Sequence, residues 1–190
     1  MKIIHGSVIA ALWGLWLIYW AVSAFGVKPT RREESNWSRL SYMALIVLGA
    51  ALMMSQNLGW SWLHERFVPR TEAWFWCGAA VLAAGLGFTV WARISLGTNW
   101  SATVTVKERH ELVRSGPYAW TRHPIYSGLL LALFGNAIAI GEWRGLVALV
   151  PFAAGFIRKM IVEERFMMEQ FGEAYARYRA EVPALVPFVY

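Results

Sequence analysis

The sequence predicts an all-α integral membrane protein: five transmembrane helices, the last two forming a tight hairpin, with a polar cytoplasmic region and a C-terminal amphipathic helix. Three observations carry this. Of 190 residues, 57% are hydrophobic and only 16% charged, where ordinary globular chains carry about 25% charge. Aromatics reach 15%, with twelve Trp, as suits spans flanked by interfacial belts. The basic residues also cluster on alternate connections, which is the signature of fixed sidedness.

Ile3 to Gly26 is the first span, apolar apart from His5, Ser7 and Ser23, and longer than a bilayer core of roughly 30 Å requires. Lys2 alone makes too weak an n-region for a cleaved signal peptide. Lys28 to Arg39 is a basic loop opened by Pro29. Leu40 to Trp60 is the second span, polar only at Gln56 and Asn57, and Trp60, Trp62, His64 and Arg66 follow as an interfacial belt before Pro69 and Arg70. Glu72 to Leu96 is the third, where Gly78, Gly85 and Gly87 offer surfaces for close helix approach.

Hydropathy collapses from Gly97 to Arg122, and Trp100 to Lys107 alternates with β-branched residues as a short extended segment. Ile125 to Ile140 and Gly145 to Val162 are spans four and five, separated only by Gly141 to Arg144. Glu163 to Val182 then reads as an amphipathic helix, with Met167, Phe171, Tyr175, Tyr178 and Val182 on one face, ended by Pro183 and Pro187. Residues 1–96 supply three spans and 97–190 the chemistry, as one integrated domain. Fourteen of the eighteen Lys/Arg lie in 28–39, 93–122 and 158–179, and the other four are Lys2, Arg66, Arg70 and Arg144. With five spans this puts the N-terminus outside and the C-terminus in the cytoplasm. It also accounts for the formal charge of +6 without nucleic acid.

Several chemistries are excluded. Cys77 stands alone, so there is no intrachain disulfide, and all twelve acidic residues are Glu, which removes paired-Asp metal sites. His5, His64, His110 and His123 include no i, i+4 pair, so no metal site is expected. No G-x-S-x-G, G-x-G-x-x-G or P-loop occurs. What remains is Gly116-Pro-Tyr-Ala-Trp-Thr-Arg-His-Pro-Ile-Tyr-Ser-Gly128 at the start of span four and Glu163-Glu164 at the end of span five. The hairpin brings these to one membrane face. Carboxylates at the end of an apolar run need solvent, a ligand or a cationic partner.

These residues resemble the isoprenylcysteine carboxyl methyltransferase family, in its prokaryotic form, within the wider group of membrane phospholipid methyltransferases. The resemblance covers about residues 96–188: His110-Glu-Leu-Val113, Ser115-Gly-Pro-Tyr118, Arg122-His-Pro-Ile-Tyr-Ser-Gly128, Glu163-Glu164, Phe171-Gly172, Tyr175, Tyr178, Val182-Pro183 and Pro187. It implies methyl transfer from S-adenosylmethionine to the carboxylate of a lipophilic, prenylcysteine-like acceptor, in the cytoplasmic membrane of a prokaryote. The implied cofactor contacts are His110, Leu112, Val113, Tyr118, His123, Pro124, Tyr126 and Glu163, with Glu163 as acceptor, His123 and backbone N–H groups as donors, and Tyr118 or Tyr126 as a wall. A carboxylate acceptor, with a pKa near 3.5, is already ionised at neutral pH and requires no base. Orienting it requires a cation. The family's arginine falls in register with Lys159, beside Arg158, and Arg122 is a third candidate. The acceptor's tail would come in from the bilayer, among membrane lipid. Two other classes fit the chain: a methyltransferase of lipid amines or other membrane nucleophiles, and a non-catalytic membrane protein of the same fold.

Overall fold

The computed structural model describes residues 2–25, 30–55, 59–100, 105–107 and 112–186. Among them are six helices, α1 (Lys2–Ser23), α2 (Asn36–Met54), α3 (Glu72–Leu96), α4 (Pro124–Ile140), α5 (Trp143–Phe171) and α6 (Glu173–Glu181). Strands β1 (Thr30–Glu33) and β2 (Thr105–Lys107) pair antiparallel, so part of the basic loop and part of the expected extended segment form one small ribbon. Lys28, Pro29, Gln56, Asn57, Ser101 to Val104 and Pro187 lie outside the described residues.

The helix starts follow from local chemistry. Ser35 caps α2 by accepting from Ser38 N at 3.3 Å, and Thr71 caps α3 by accepting from Trp74 N at 3.4 Å. Pro124 occupies the first turn of α4, where its missing N–H costs nothing. Helices α1, α2, α3 and α5 are long and apolar enough to cross a bilayer, and α4, at 17 residues, is a shorter apolar helix. The chain is therefore a multi-pass integral membrane protein.

Two boundaries differ from the sequence reading. Span five does not give way to a separate amphipathic helix at Glu163. Helix α5 runs unbroken to Phe171, because charged side chains do not interrupt backbone hydrogen bonding in a solvated helix end, and the chain turns only at Gly172, with φ +50°. The second span ends at Met54 with Ser55 as its cap.

Helix α4 is joined to α5 through Gly141 and Glu142, yet α4 packs most extensively on α3, and α5 on α2. The α3–α4 contact is a backbone approach. A β-carbon at Gly85 would stand 2.4 Å from Ala132 N, and one at Gly135 2.3 Å from Leu82 N; Gly78 and Gly128 meet backbone in the same way. Small residues let apolar helices gain dispersion contact where no hydrophobic drive exists. Gly87, expected to share this role, has nothing of the described chain within 4 Å of such a carbon and plays no part in the contact.

Helix α1 is pinned to its neighbours at polar points. His5 Nε2 meets Glu72 at 2.9 Å, Trp13 Nε1 donates to Asn136 at 3.4 Å, Trp16 Nε1 donates to Thr89 at 2.7 Å, and the Arg93 guanidinium donates to Ser23 O. The end of α1, the start of α2, the end of α3, the start of α4 and the end of α5 thus share one face of the molecule.

Candidate functional site

At that face the turn before α4 meets the last turns of α5. The Tyr126 hydroxyl donates to Glu163 Oε1, and His123 Nδ1 lies 3.5 Å from Glu163 Oε2. On its other side His123 Nε2 lies 3.1 Å from Glu164 Oε1. Arg122 sends Nε and Nη2 to that same oxygen at 2.8 Å, while Arg179 Nε stands 3.6 Å from Glu164 Oε2. Glu164 is thus clamped by three cationic or cation-forming groups, and Glu163 faces the interior beside it.

Residues 183–185 are tied over this cluster. Arg122 N and His123 N donate to Pro183 O and Ala184 O at 2.9 and 3.0 Å, and Thr121 and Ser127 hydroxyls reach Ala184 O and Leu185 O. The Arg122 Nη1 also donates to Arg179 O, at 3.0 Å, and to Val182 O. Tyr178 completes the tie by donating to Tyr118 O at 2.7 Å. Burial pushes the Tyr178 hydroxyl up to about 12, so it stays a donor at any physiological pH.

His123 is buried, 8% exposed, and burial alone would lower its pKa. The hydrogen bonds and charges of Glu163 and Glu164 outweigh that and raise it above 6.5. The imidazolium form, with both nitrogens donating, is the one this geometry holds.

Inside the cluster lies a cavity of about 280 Å³, near the lower end of ordinary ligand pockets. Leu112, Val113, Tyr118, His123, Pro124, Tyr126 and Glu163 all line it. The structure therefore brings together every expected cofactor contact within the described residues; His110 lies outside them. Of the expected cations, Lys159 lines the cavity, with Nζ 5.7 Å above the Tyr126 ring and 5.5 Å above that of Tyr42. Arg158 is not on the wall, because one residue along a helix turns the side chain by about 100°. Arg122 touches the cavity, but its guanidinium is committed to Glu164 and two carbonyls, so it departs from the expected role of a cation for a ligand. His123 departs likewise from that of a donor to a ligand, since both ring nitrogens face carboxylates.

Two further walls complete the cavity, and the first lies beyond the sequence motifs. Trp16 and Trp20 of α1 stack at 4.6 Å, and Trp20 meets Trp100 edge-on at 5.6 Å, where the Arg93 guanidinium sits 4.5 Å over the Trp100 ring. All three Trp line the cavity. The spacing of four between the α1 pair is the one sequence signal for this wall. Tyr175 and Tyr178 of α6 close another side.

Glu163 retains acceptor capacity, since a carboxylate offers about four lone-pair sites and Tyr126 and His123 occupy only part of them. The cavity thus presents an anion and a cation, Glu163 and Lys159, one helical turn apart between aromatic walls. Such a site suits a zwitterionic ligand with an aromatic part.

A family model described as phospholipid methyltransferase matches residues 73–174, more than half of the chain. The chain is 31% identical over 102 residues to the protein-S-isoprenylcysteine O-methyltransferase of Schizosaccharomyces pombe, covering 52% of this chain and 43% of the relative. It is 29% identical over 129 residues to protein-S-isoprenylcysteine O-methyltransferase B of Arabidopsis thaliana, covering 65% and 66%. The chain thus spans about half to two thirds of the length of these relatives. Its fold is similar to the solved structure of the eukaryotic intramembrane Ras methyltransferase ICMT, with TM-score 0.57 at 23% identity over 84% of this chain and 55% of that one. With the family match enclosing Pro124, Tyr126 and Glu163, the chain belongs to the phospholipid methyltransferase family.

Proposed function

We propose that the chain is an S-adenosylmethionine-dependent carboxyl O-methyltransferase acting on a lipophilic, prenylcysteine-like acid. The observation that carries this is the cavity in which Glu163, Lys159 and the Tyr and Trp walls converge, in a chain whose relatives are named protein-S-isoprenylcysteine O-methyltransferases. When bound, S-adenosylmethionine supplies a methyl group on a sulfonium. Glu163 would accept from its ammonium or ribose hydroxyls, the aromatic walls would hold adenine, and Leu112, Val113 and Pro124 would give backbone and apolar contact. His110 is assigned to the same group from its place in the motif.

Lys159 orients the acceptor carboxylate, and the apolar wall of Ile46, Leu129 and Phe156 receives its tail from the bilayer. The residues supply alignment and exclude water, and they move no proton. Glu164 and Arg122 act as positioning residues, holding His123 and the 183–185 segment. Helices α4 and α5 form the fourth and fifth spans as a hairpin, with the N-terminus outside and the catalytic cavity at the cytoplasmic face, supported by the fourteen basic residues gathered on that side.

A lipid-amine acceptor is the second reading, favoured by the family's description. It needs a base to take the amine's proton. His123 is the one histidine among the described cavity-lining residues, and its carboxylate neighbours hold it protonated, which weighs against this reading. Calorimetric titration with S-adenosylmethionine, followed by methyl transfer to farnesyl-cysteine, tests the proposal. Saturable binding that Glu163→Gln weakens is the expected result, and no binding to folded protein would overturn it.

A further inference from the structure

A second, larger cavity of about 1020 Å³ lies at the opposite end of the helices, where α1 stands away from α2 and α4. Its depth is apolar, formed by residues such as Ile9, Trp13, Ala50 and Leu133, and its rim is charged. Both rim carboxylates have partners within the rim: Glu72 meets His5 at 2.9 Å, and Glu142 meets Arg144 at 2.7 Å, Arg144 also donating to Ser55 O at 2.9 Å. Arg66 and Arg70 remain. Arg66 donates to Val68 O at 3.1 Å and Ile140 O at 3.0 Å, and no carboxylate pairs with either guanidinium among the ion pairs of the described residues. The rim is left with excess positive charge beside an apolar chamber.

One polar group stands deeper. Asn136, 8% exposed, lines the chamber one helical turn below Ile140. Its Nδ2 reaches Met53 Sδ at 3.1 Å, and a thioether is a weak acceptor. Its Oδ1 accepts from Trp13, so only the donor side of the amide is weakly satisfied, which is costly at membrane depth. It lies about 6 Å below the carbonyl that anchors Arg66, the sense and scale of the step from a lipid phosphate to its glycerol esters.

We propose that this cavity holds one anionic glycerophospholipid from the leaflet opposite the catalytic cavity. Its phosphate meets Arg66 and Arg70, an ester carbonyl accepts from Asn136 Nδ2, and an acyl chain fills the space between α1 and α2. Because α1 also carries Trp16 and Trp20 into the catalytic cavity, a lipid seated here fixes α1 and with it that wall.

The test is native mass spectrometry of delipidated protein in neutral detergent, with phosphatidylglycerol or phosphatidylcholine of matched chains, alongside thermal melting. The wild type should retain one phosphatidylglycerol in preference to phosphatidylcholine and melt higher with it. Arg70→Gln, at an exposed position, should weaken that preference, and Arg66→Gln with Arg70→Gln should abolish it, a loss of roughly tenfold or more in affinity. Asn136→Leu should weaken both lipids alike, since both carry esters. Equal retention of the two lipids by the wild type, or unchanged preference in both arginine variants, would overturn the proposal. So would one-for-one displacement by farnesyl-cysteine, which would make the chamber the tail site of the catalytic cavity.

Discussion

Glu163 and Lys159 sit one turn apart on α5 and face the same cavity, so they should fail differently when changed. Glu163→Gln removes a charge-assisted acceptor and should cost about 1.5–3 kcal/mol of S-adenosylmethionine binding, ten- to over a hundredfold in Kd by calorimetry. Lys159→Ala should lower kcat for the acid with little change in cofactor affinity, Lys159→Arg should restore much of it, and Arg158→Ala should be close to silent in steady-state kinetics. Equal losses from Arg158→Ala and Lys159→Ala would place the orienting charge elsewhere. His123 gives a pH signature. Its pKa is raised in the folded protein, so the stability it contributes is fully present below about 6.5, the unfolded value, and is lost as pH rises through the folded value. The midpoint of thermal unfolding should therefore fall on that alkaline side for the wild type and less so for His123→Gln. The groups facing this ring are Glu163, Glu164 and Tyr126, with Arg122 and Arg179 on Glu164.

At the level of elements, the sequence disclosed where the chain is helical and which ends meet, since a two-residue connection between α4 and α5 forces His123 and Glu163 to one face. It did not disclose helix partners. Gly78 and Gly85 were visible as small residues, but their match to Gly128 and Gly135 is a contact between distant segments, with no local periodicity to reveal it. The face of α1 was hidden for a related reason, because a helix apolar all round gives no moment from which to infer that Trp16 and Trp20 turn inward. Nor does a motif show that Arg122 spends its donors on Glu164 and the 179–182 backbone. The glycine contact is open to test by melting in detergent. Gly85→Ala or Gly135→Ala should destabilise by about 1–3 kcal/mol, since backbone rather than a flexible side chain would have to move. Gly87→Ala, facing open space, should be neutral or gain up to about 1 kcal/mol from helix propensity. Equal effects at all three would show that α3 and α4 do not meet this way.

The whole molecule is a bundle with a cavity at each end, and at one of them five helix termini and the 183–185 segment converge over the candidate catalytic cavity. Reporter fusions at the two termini should place the N-terminus outside and the C-terminus in the cytoplasm, as the basic residues predict. The reaction itself is defined by the bond it forms, an ester or a carbon–nitrogen bond. The purified protein would be incubated with S-adenosylmethionine carrying a labelled methyl group and either farnesyl-cysteine or phosphatidylethanolamine, and the products treated with mild alkali. A methyl ester releases its label as methanol, whereas a methylated amine keeps it. Alkali-labile label on farnesyl-cysteine, lost in Glu163→Gln and reduced in Lys159→Ala, is the predicted result. Alkali-stable label on the phospholipid amine, with none on the acid, would contradict it.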